Sequence, residues 1–365
     1  MLKIREITSY LEQWAPVNYQ ESYDNAGLLT GSPEWEVKGV LISLDATEVI
    51  VEEAIKQSCN LIIAHHPIVF KGLKKLTGAT YVERTVLKAI KSDIAIYAIH
   101  TNLDNVKGGV NFKIAQKLGL EKVRILSPKK QLLQKLVTFI PVENTAQVLN
   151  ALYEAGAGNI GNYSGCSFRT AGTGTFTPNA EANPHIGNQN KPEEVQEERV
   201  EVIMPTYLSG RVLAALRQAH PYEEVAYYLS SLENAYQDVG SGAIGELPQL
   251  MEEKAFLSYL KTQMQLNCIK YTTLRNKPVQ KIAICGGAGI FLLPDAIRQN
   301  ADVFITADVK YHEFFDADEK IILADIGHYE SEVFTKELIH TYLSQKFTNI
   351  ALILSKIITN PIFYL

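Results

Sequence analysis

The chain has only four cysteines, Cys59, Cys166, Cys268 and Cys285, and no two of them stand in a CxxC pair or at a disulfide-type spacing. That excludes a cysteine-built zinc knuckle and a disulfide framework, and it leads us to expect a reducing compartment, the cytoplasm. A charge field of one sign is also missing. Against 40 Asp and Glu stand 35 Lys and Arg, a net charge of -5 with the two signs interspersed, so nucleic acid is not an expected partner. Nor is there a membrane-length apolar run. The most apolar tail, residues 349–365, is interrupted by Lys356, Asn360 and Pro361, whereas a spanning helix needs about 20 apolar residues. It reads as a last strand and a docked terminus. The opening Met1-Leu2-Lys3-Ile4-Arg5-Glu6-Ile7 is amphipathic, without the charged head and apolar core of a secretory leader.

What the chain does have is length and alternation. At 365 residues with 46% hydrophobic content it can bury a full core, and two domains are expected. Through residues 38–120, short apolar runs (Val40 to Leu44, Leu61 to Ala64, Ile94 to Ile99) alternate with helix-type segments near Glu48 to Gln57, Tyr81 to Lys91 and Val110 to Leu118. The same grammar returns after residue 280, in the runs starting at Ile282, Val303, Ile321 and Ile350. Alternation of this kind predicts an α/β fold with a mainly parallel sheet covered by helices. Between the two halves the style changes: residues 156–192 are rich in Gly, Asn, Thr and Pro. Around them lie strand-like Val137 to Ile140 and Arg199 to Met204, with helices near Thr145 to Ala155 and Leu208 to Gln218. We read a smaller α+β domain, a β-α-β-type unit with one long loop, inserted at 128–235 between halves 1–127 and 236–365.

Ligand-type residues collect where the apolar runs end. Leu61-Ile62-Ile63-Ala64 runs into His65-His66-Pro67, the run to Ile99 leads to His100 and Asp104, and Ile321 to Ala324 leads to Asp325-Ile326-Gly327-His328. One histidine after a strand is ordinary turn chemistry. Three strand ends carrying such residues are more than that, because ligands of open α/β sheets bind at this edge. His328 and Glu332 are four apart and share a helix face. His65, His66, Asp104, His328 and Glu332 form a mixed imidazole and carboxylate set suited to Zn, Fe, Mn or Ni. Five ligands exceed what one open tetrahedral ion uses and suit two divalent transition-metal ions, with Zn, Fe or Mn foremost, bridged by a carboxylate. Such a pair lowers the pKa of bound water, so hydrolysis of a nucleotide-like or other anionic small molecule follows; a metal-handling or regulatory protein without turnover is the alternative.

Other motifs are weaker. Cys285-Gly286-Gly287-Ala288-Gly289 follows a strand and offers backbone N–H groups to a phosphate, or is simply a tight turn. Asp24-Asn25-Ala26-Gly27-Leu28 and Asp45 stand where they can line the same edge or form turns. Lys71, Lys74 and Lys75 follow the histidine pair closely enough to face an anion but read more simply as a solvated loop, and Lys71, Lys74, His100 and Tyr329 are the candidates for an acid, base or anion clamp. His220 and Glu224 repeat the four-residue spacing in the inserted segment, as a helix start that is more simply a cap.

The segments DNAGL (Asp24 to Leu28), AHHP (Ala64 to Pro67), HTNLDN (His100 to Asn105), CGGAG (Cys285 to Gly289), DIGHYESE (Asp325 to Glu332) and TNP (Thr359 to Pro361) resemble, in this order, the NIF-three-like family. Its bacterial members are usually labelled GTP cyclohydrolase type 2 homologues. The inserted segment, with GNIGNYSGCSF, GTGTF and HPYEEVAY, looks like the extra domain of the longer members, similar to PII-like and CutA-like trimer-forming domains. The resemblance implies that His66 and Asp104 hold one metal, that His65 and His328 hold the other, and that Glu332 bridges both. It also implies a ring-shaped homohexamer with the metal sites facing a cavity.

Overall fold

The computed structural model describes residues 1–365, and the chain divides into two compact units, Met1–Ser127 with Asp238–Leu365 and, separately, Pro128–Gln237. The first unit opens with α1 (Ile4–Trp14), which buries Ile4, Ile7 and Leu11, a stripe at helical spacing. Then come β1 (Gly27–Thr30), β2 (Val40–Ser43), α2 (Glu48–Lys56), β3 (Leu61–Ala64), α3 (Tyr81–Lys91) and β4 (Ala95–Ala98). A single turn, α4 (Thr101–Asp104), leads into α5 (Val110–Lys117) and β5 (Glu121–Lys129).

In the second unit the order is β6 (Leu133–Pro141), α6 (Thr145–Glu154), β7 (Phe168–Phe176), β8 (Glu193–Pro205), α7 (Ser209–Ala219) and β9 (Tyr227–Leu232). Its four strands lie in the order β7-β8-β6-β9 with every neighbour antiparallel, a β-α-β-β-α-β arrangement. Val148 and Leu152 of α6 and Val212 and Leu216 of α7 pack on Leu136, Ile140, Val200 and Val202 of one sheet face. The stretch 156–192, which reads as one long loop, instead contains β7. Its Arg169 to Thr175 run of Thr, Ala and Gly has no apolar period-two signal because most of it is exposed on both faces.

The chain returns to the first unit through β10 (Tyr236–Met251), α8 (Glu253–Gln263), β11 (Lys270–Tyr271), β12 (Val279–Ile284), α9 (Leu293–Arg298) and β13 (Val303–Thr306). It closes with β14 (Ile322–Asp325), α10 (His328–Glu332), α11 (Thr335–Ser344) and β15 (Leu352–Leu354). The parallel strands are shared between two sheets. One has the order β1-β4-β3-β2-β15, parallel except for β1, and the other the order β11-β14-β13-β12-β10-β5, in which β12, β13 and β14 are parallel. β2, β3, β4, β13 and β14 are buried along their whole length, which explains their continuous apolar runs. Leu41, Ile62 and Ile96 pack against Ile50, Val51 and Ala54 of α2 and Val86 and Ala89 of α3. Ala283, Phe304 and Leu323 pack against Leu293 and Ala296 of α9. Burying one such Leu, Ile or Phe stabilises by about 1.5–3 kcal/mol.

Register decides what gathers at the strand ends. Ser43, Ala64 and Ala98 are paired across β2, β3 and β4, so Asp45, His65 with His66, and His100 leave the sheet at one level. In the other sheet Thr306 pairs with Asp325, so Asp308 and His328 leave together in the same way.

Candidate metal centre

The five residues singled out as ligands converge. His66 Nε2 lies 2.8 Å from Glu332 Oε2 and 3.3 Å from His328 Nε2, and His328 Nε2 is 3.0 Å from the same Glu332 oxygen. His65 Nε2 is 3.7 Å from Asp104 Oδ1 and 3.9 Å from Glu332 Oε2. Glu332 is therefore the common neighbour of three imidazoles, two (His65 and His66) from the end of β3 and one (His328) from its own helix. The shortest separations run through His66, Glu332 and His328, whereas the resemblance pairs His66 with Asp104. Ligand-capable atoms of His66, His328 and Glu332 all lie within 4.8 Å of one another, as do those of His65, His66 and His100, so each trio could hold a metal ion.

Each imidazole is aimed by a bond to its other nitrogen. His65 Nδ1 bonds to the Ile99 carbonyl at 2.8 Å, His66 Nδ1 to Asp45 Oδ1 at 2.7 Å, and His328 Nδ1 to Asp308 Oδ2 at 2.7 Å. That leaves Nε2 facing the cluster in all three, the way metal-binding histidines are ordinarily held. The chain terminus adds a further layer, because Thr359 Oγ1 donates to Asp45. In the sequence Asp45 stands out only as an edge or turn residue, and Asp308 carries a weaker mark. The signal for Asp308 is its position two residues past a fourth strand end, β13. His100 joins the group as well: its Nδ1 bonds to Asp24 Oδ1 at 2.8 Å, and Asp24 also accepts from the Thr101 amide at 3.0 Å and from the Thr101 hydroxyl.

The electrostatics fit a cation. His65 is fully buried, and burial pushes its pKa down to about 3, so it is a neutral imidazole. Burial opposes charge on His66 and His328 too, but hydrogen bonds to Glu332, with Asp45 and Asp308 respectively, outweigh it and raise them to about 10 and about 9. Glu332 is held well below the usual carboxylate range by those same two imidazoles despite its burial. Burial, reinforced by Glu332, raises Asp104 well above its usual value. Two buried atoms, His65 Nε2 and Asp104 Oδ1, have no hydrogen-bond partner. Orphaned buried polar atoms are costly, about 1–3 kcal/mol each, and an N and an O facing one another across 3.7 Å fit a shared positive ion.

Glycine is required beside the cluster. Gly287 has φ +60°, and a Cβ there would strike Glu332 Oε1. The glycine loop does not offer a phosphate cradle, however. Its Gly286, Gly287 and Gly289 amides already donate to Asn111 Oδ1, Ser331 Oγ and Thr306 Oγ1, each at 2.9 Å. Lys71, Lys74 and Lys75 are exposed and do not line the cavity over the cluster. Nor does Tyr329, whereas His100 does. His220 belongs to a different unit, and its segment follows α7 as bends rather than opening a helix.

A family model described as Duf34/NIF3 (NGG1p interacting factor 3) matches residues 2–361. The chain belongs to this family. Among its relatives, a GTP cyclohydrolase 1 type 2 homolog of Halalkalibacterium halodurans is 38% identical over 364 residues, 98% of each chain. One of Bacillus subtilis is 36% identical over 367 residues, covering 99% of this chain and 98% of its own. Among solved structures, a Bacillus cereus protein related to NIF3 superposes with a TM-score of 0.87 at 36% identity, over 100% of this chain and 99% of that one. The Staphylococcus aureus protein SA1388 gives 0.79 at 31% identity, with the same coverage. No helix of this Duf34/NIF3 chain is long and apolar enough to cross a membrane.

Proposed function

We propose that this Duf34/NIF3 protein is a metal-dependent hydrolase of small molecules, with two divalent transition-metal ions per chain, Zn, Fe or Mn, held by His65, His66, Asp104, His328 and Glu332. The observation that carries this is the pair of orphaned buried atoms, His65 Nε2 and Asp104 Oδ1, beside a carboxylate already shared by His66 and His328. When bound, such a pair of ions supplies Lewis-acid activation of water and of a polarised substrate oxygen. The chain's own residues do the rest. Asp45, Asp308 and the Ile99 carbonyl each take Nδ1 of one imidazole and so leave Nε2 toward the cluster, and Glu332 places its charge between them. His100, fixed through Nδ1 by Asp24, presents its other nitrogen to the cavity as a proton donor or acceptor. The name shared by the relatives, GTP cyclohydrolase 1 type 2 homolog, is in keeping with hydrolysis. The resemblance-based assignment, with Glu332 bridging, and the homohexamer belong to the same proposal, as does a cytoplasmic location.

A second reading, metal handling without turnover, is favoured by one observation: no Lys or Arg lines the cavity to clamp an anionic substrate. Metal-replete protein assayed against nucleotides, phosphoesters and cyclic amides separates the two. Hydrolysis that is lost on chelation and in Glu332→Gln supports the enzyme. Turnover that survives both places catalysis elsewhere, and no turnover together with ready exchange of ions to an acceptor favours metal handling. A light-scattering mass near the chain's 40.7 kDa would overturn the oligomer.

A further inference from the structure

The cavity that opens over the cluster has a volume of about 760 Å³ and is lined entirely by the first unit. Four aromatic rings stand on its wall: Tyr23, Phe70, Tyr81 and Phe291. They come from four separate places: the loop before β1, the loop after β3, the first residue of α3, and the short segment after β12. Each is exposed, at 66%, 47%, 60% and 63% respectively. Single exposed rings scattered over a surface are ordinary, but four converging on one cavity form an apolar surface that a flat ligand would cover. Phe70 in turn stands edge-on to His100, with ring centroids 5.5 Å apart, so this wall runs directly onto the imidazole cluster.

The charged groups of the same wall are all acidic or imidazole. Glu21, Asp45, Asp104 and Glu332 line the cavity, and no Lys or Arg does. Counting Asp104 and Glu332 alone would leave two divalent ions with two uncompensated positive charges. With Asp45 and Glu21 included, four carboxylates match the four positive charges, and the loaded cavity is close to neutral. A nucleoside triphosphate, at about four negative charges, ordinarily meets Lys, Arg or a row of free backbone amides. Here the amides of Gly286, Gly287 and Gly289 are already taken by side chains.

We propose that this cavity takes a flat ring compound with at most one negative charge, its ring against the aromatic wall and one polar group toward the cluster, and that it disfavours polyanions. The proposal rests on the metal reading above and narrows its substrate class.

The test uses the full metal-replete chain. Acetohydroxamate, benzohydroxamate and 2-naphthohydroxamate share one metal-binding group and differ in ring; inorganic triphosphate has charge and no ring. Calorimetric titration should give a Kd about tenfold lower for the naphthyl than for the acetyl compound, with triphosphate the weakest. Phe70→Ala and Phe291→Ala, both at exposed positions, should each remove most of the naphthyl advantage and leave acetohydroxamate unchanged. Equal binding of all three hydroxamates, tightest binding of triphosphate, or no hydroxamate binding to chain that retains its ions would each overturn the ring proposal. Elemental analysis of the titrated samples keeps the two claims apart: a chain that holds no ions refutes the metal reading, and the ring proposal falls with it.

Discussion

Two regions of this molecule carry a histidine and a glutamate four residues apart, and they came out differently. In the first unit, His328 and Glu332 sit 3.0 Å apart in a helical turn at the end of β14, with Nε2 of the histidine 3.3 Å from Nε2 of His66. In the second, His220 follows α7 and spends both ring nitrogens on backbone: Nε2 donates to the Phe139 carbonyl at 2.9 Å and Nδ1 accepts from the Tyr222 amide at 3.1 Å. Sequence spacing is the same. What distinguishes a candidate ligand from a structural histidine is which partner takes each nitrogen, and that depends on strands distant in sequence.

The sharpest way to break the contrast is substitution on each side. Glu332→Ala should reduce the metal content of reconstituted protein to one ion per chain or fewer, because it removes the carboxylate common to the cluster and leaves buried imidazoles facing one another. His220→Ala should leave metal content unchanged. Elemental analysis of both variants checks this, and equal content in the two would dissolve the distinction.

Next in size are the residues that aim the imidazoles. Asp45→Asn and Asp308→Asn should each weaken metal affinity by roughly 10–100-fold, measured by competition with a chelator, since an amide still bonds Nδ1 but supplies no charge. Loading should also release protons. Without metal His66 and His328 titrate at about 10 and about 9, so both are charged near neutrality and must lose a proton to ligate. Calorimetry in buffers of different ionisation enthalpy should find about two protons released per chain at about pH 7.5, with affinity falling as the pH drops.

The smallest effect belongs to the other histidine. His220→Ala should destabilise the second unit by about 1–3 kcal/mol through the loss of its buried bonds. Burial holds its pKa below the ordinary 6.5. The folded value is the lower one, so the stabilisation is present above 6.5 and is lost as the pH falls toward the folded value. Thermal melts should therefore show acid destabilisation in the native chain that is reduced in the variant.

The sequence was most legible where one signal sufficed. Apolar runs marked β2, β3, β4, β13 and β14 because these strands are buried on both faces, and ligand-type residues just beyond them marked the cluster. It was least legible where polarity or distance hid the pattern. β7 alternates Thr and Gly on an exposed sheet, and the place of Asp308 just past β13 does not by itself say that it meets an imidazole 20 residues on. At the loop after Cys285 the sequence left a phosphate cradle open beside a tight turn, because only the structure shows that Asn111, Ser331 and Thr306 occupy its amides.

Metal stoichiometry tests the central claim most directly. The purified chain, stripped and then reconstituted with Zn, Fe or Mn, should carry about two ions per chain after removal of excess metal. One ion or fewer in protein that is folded by its melting transition would contradict a dinuclear centre built on Glu332.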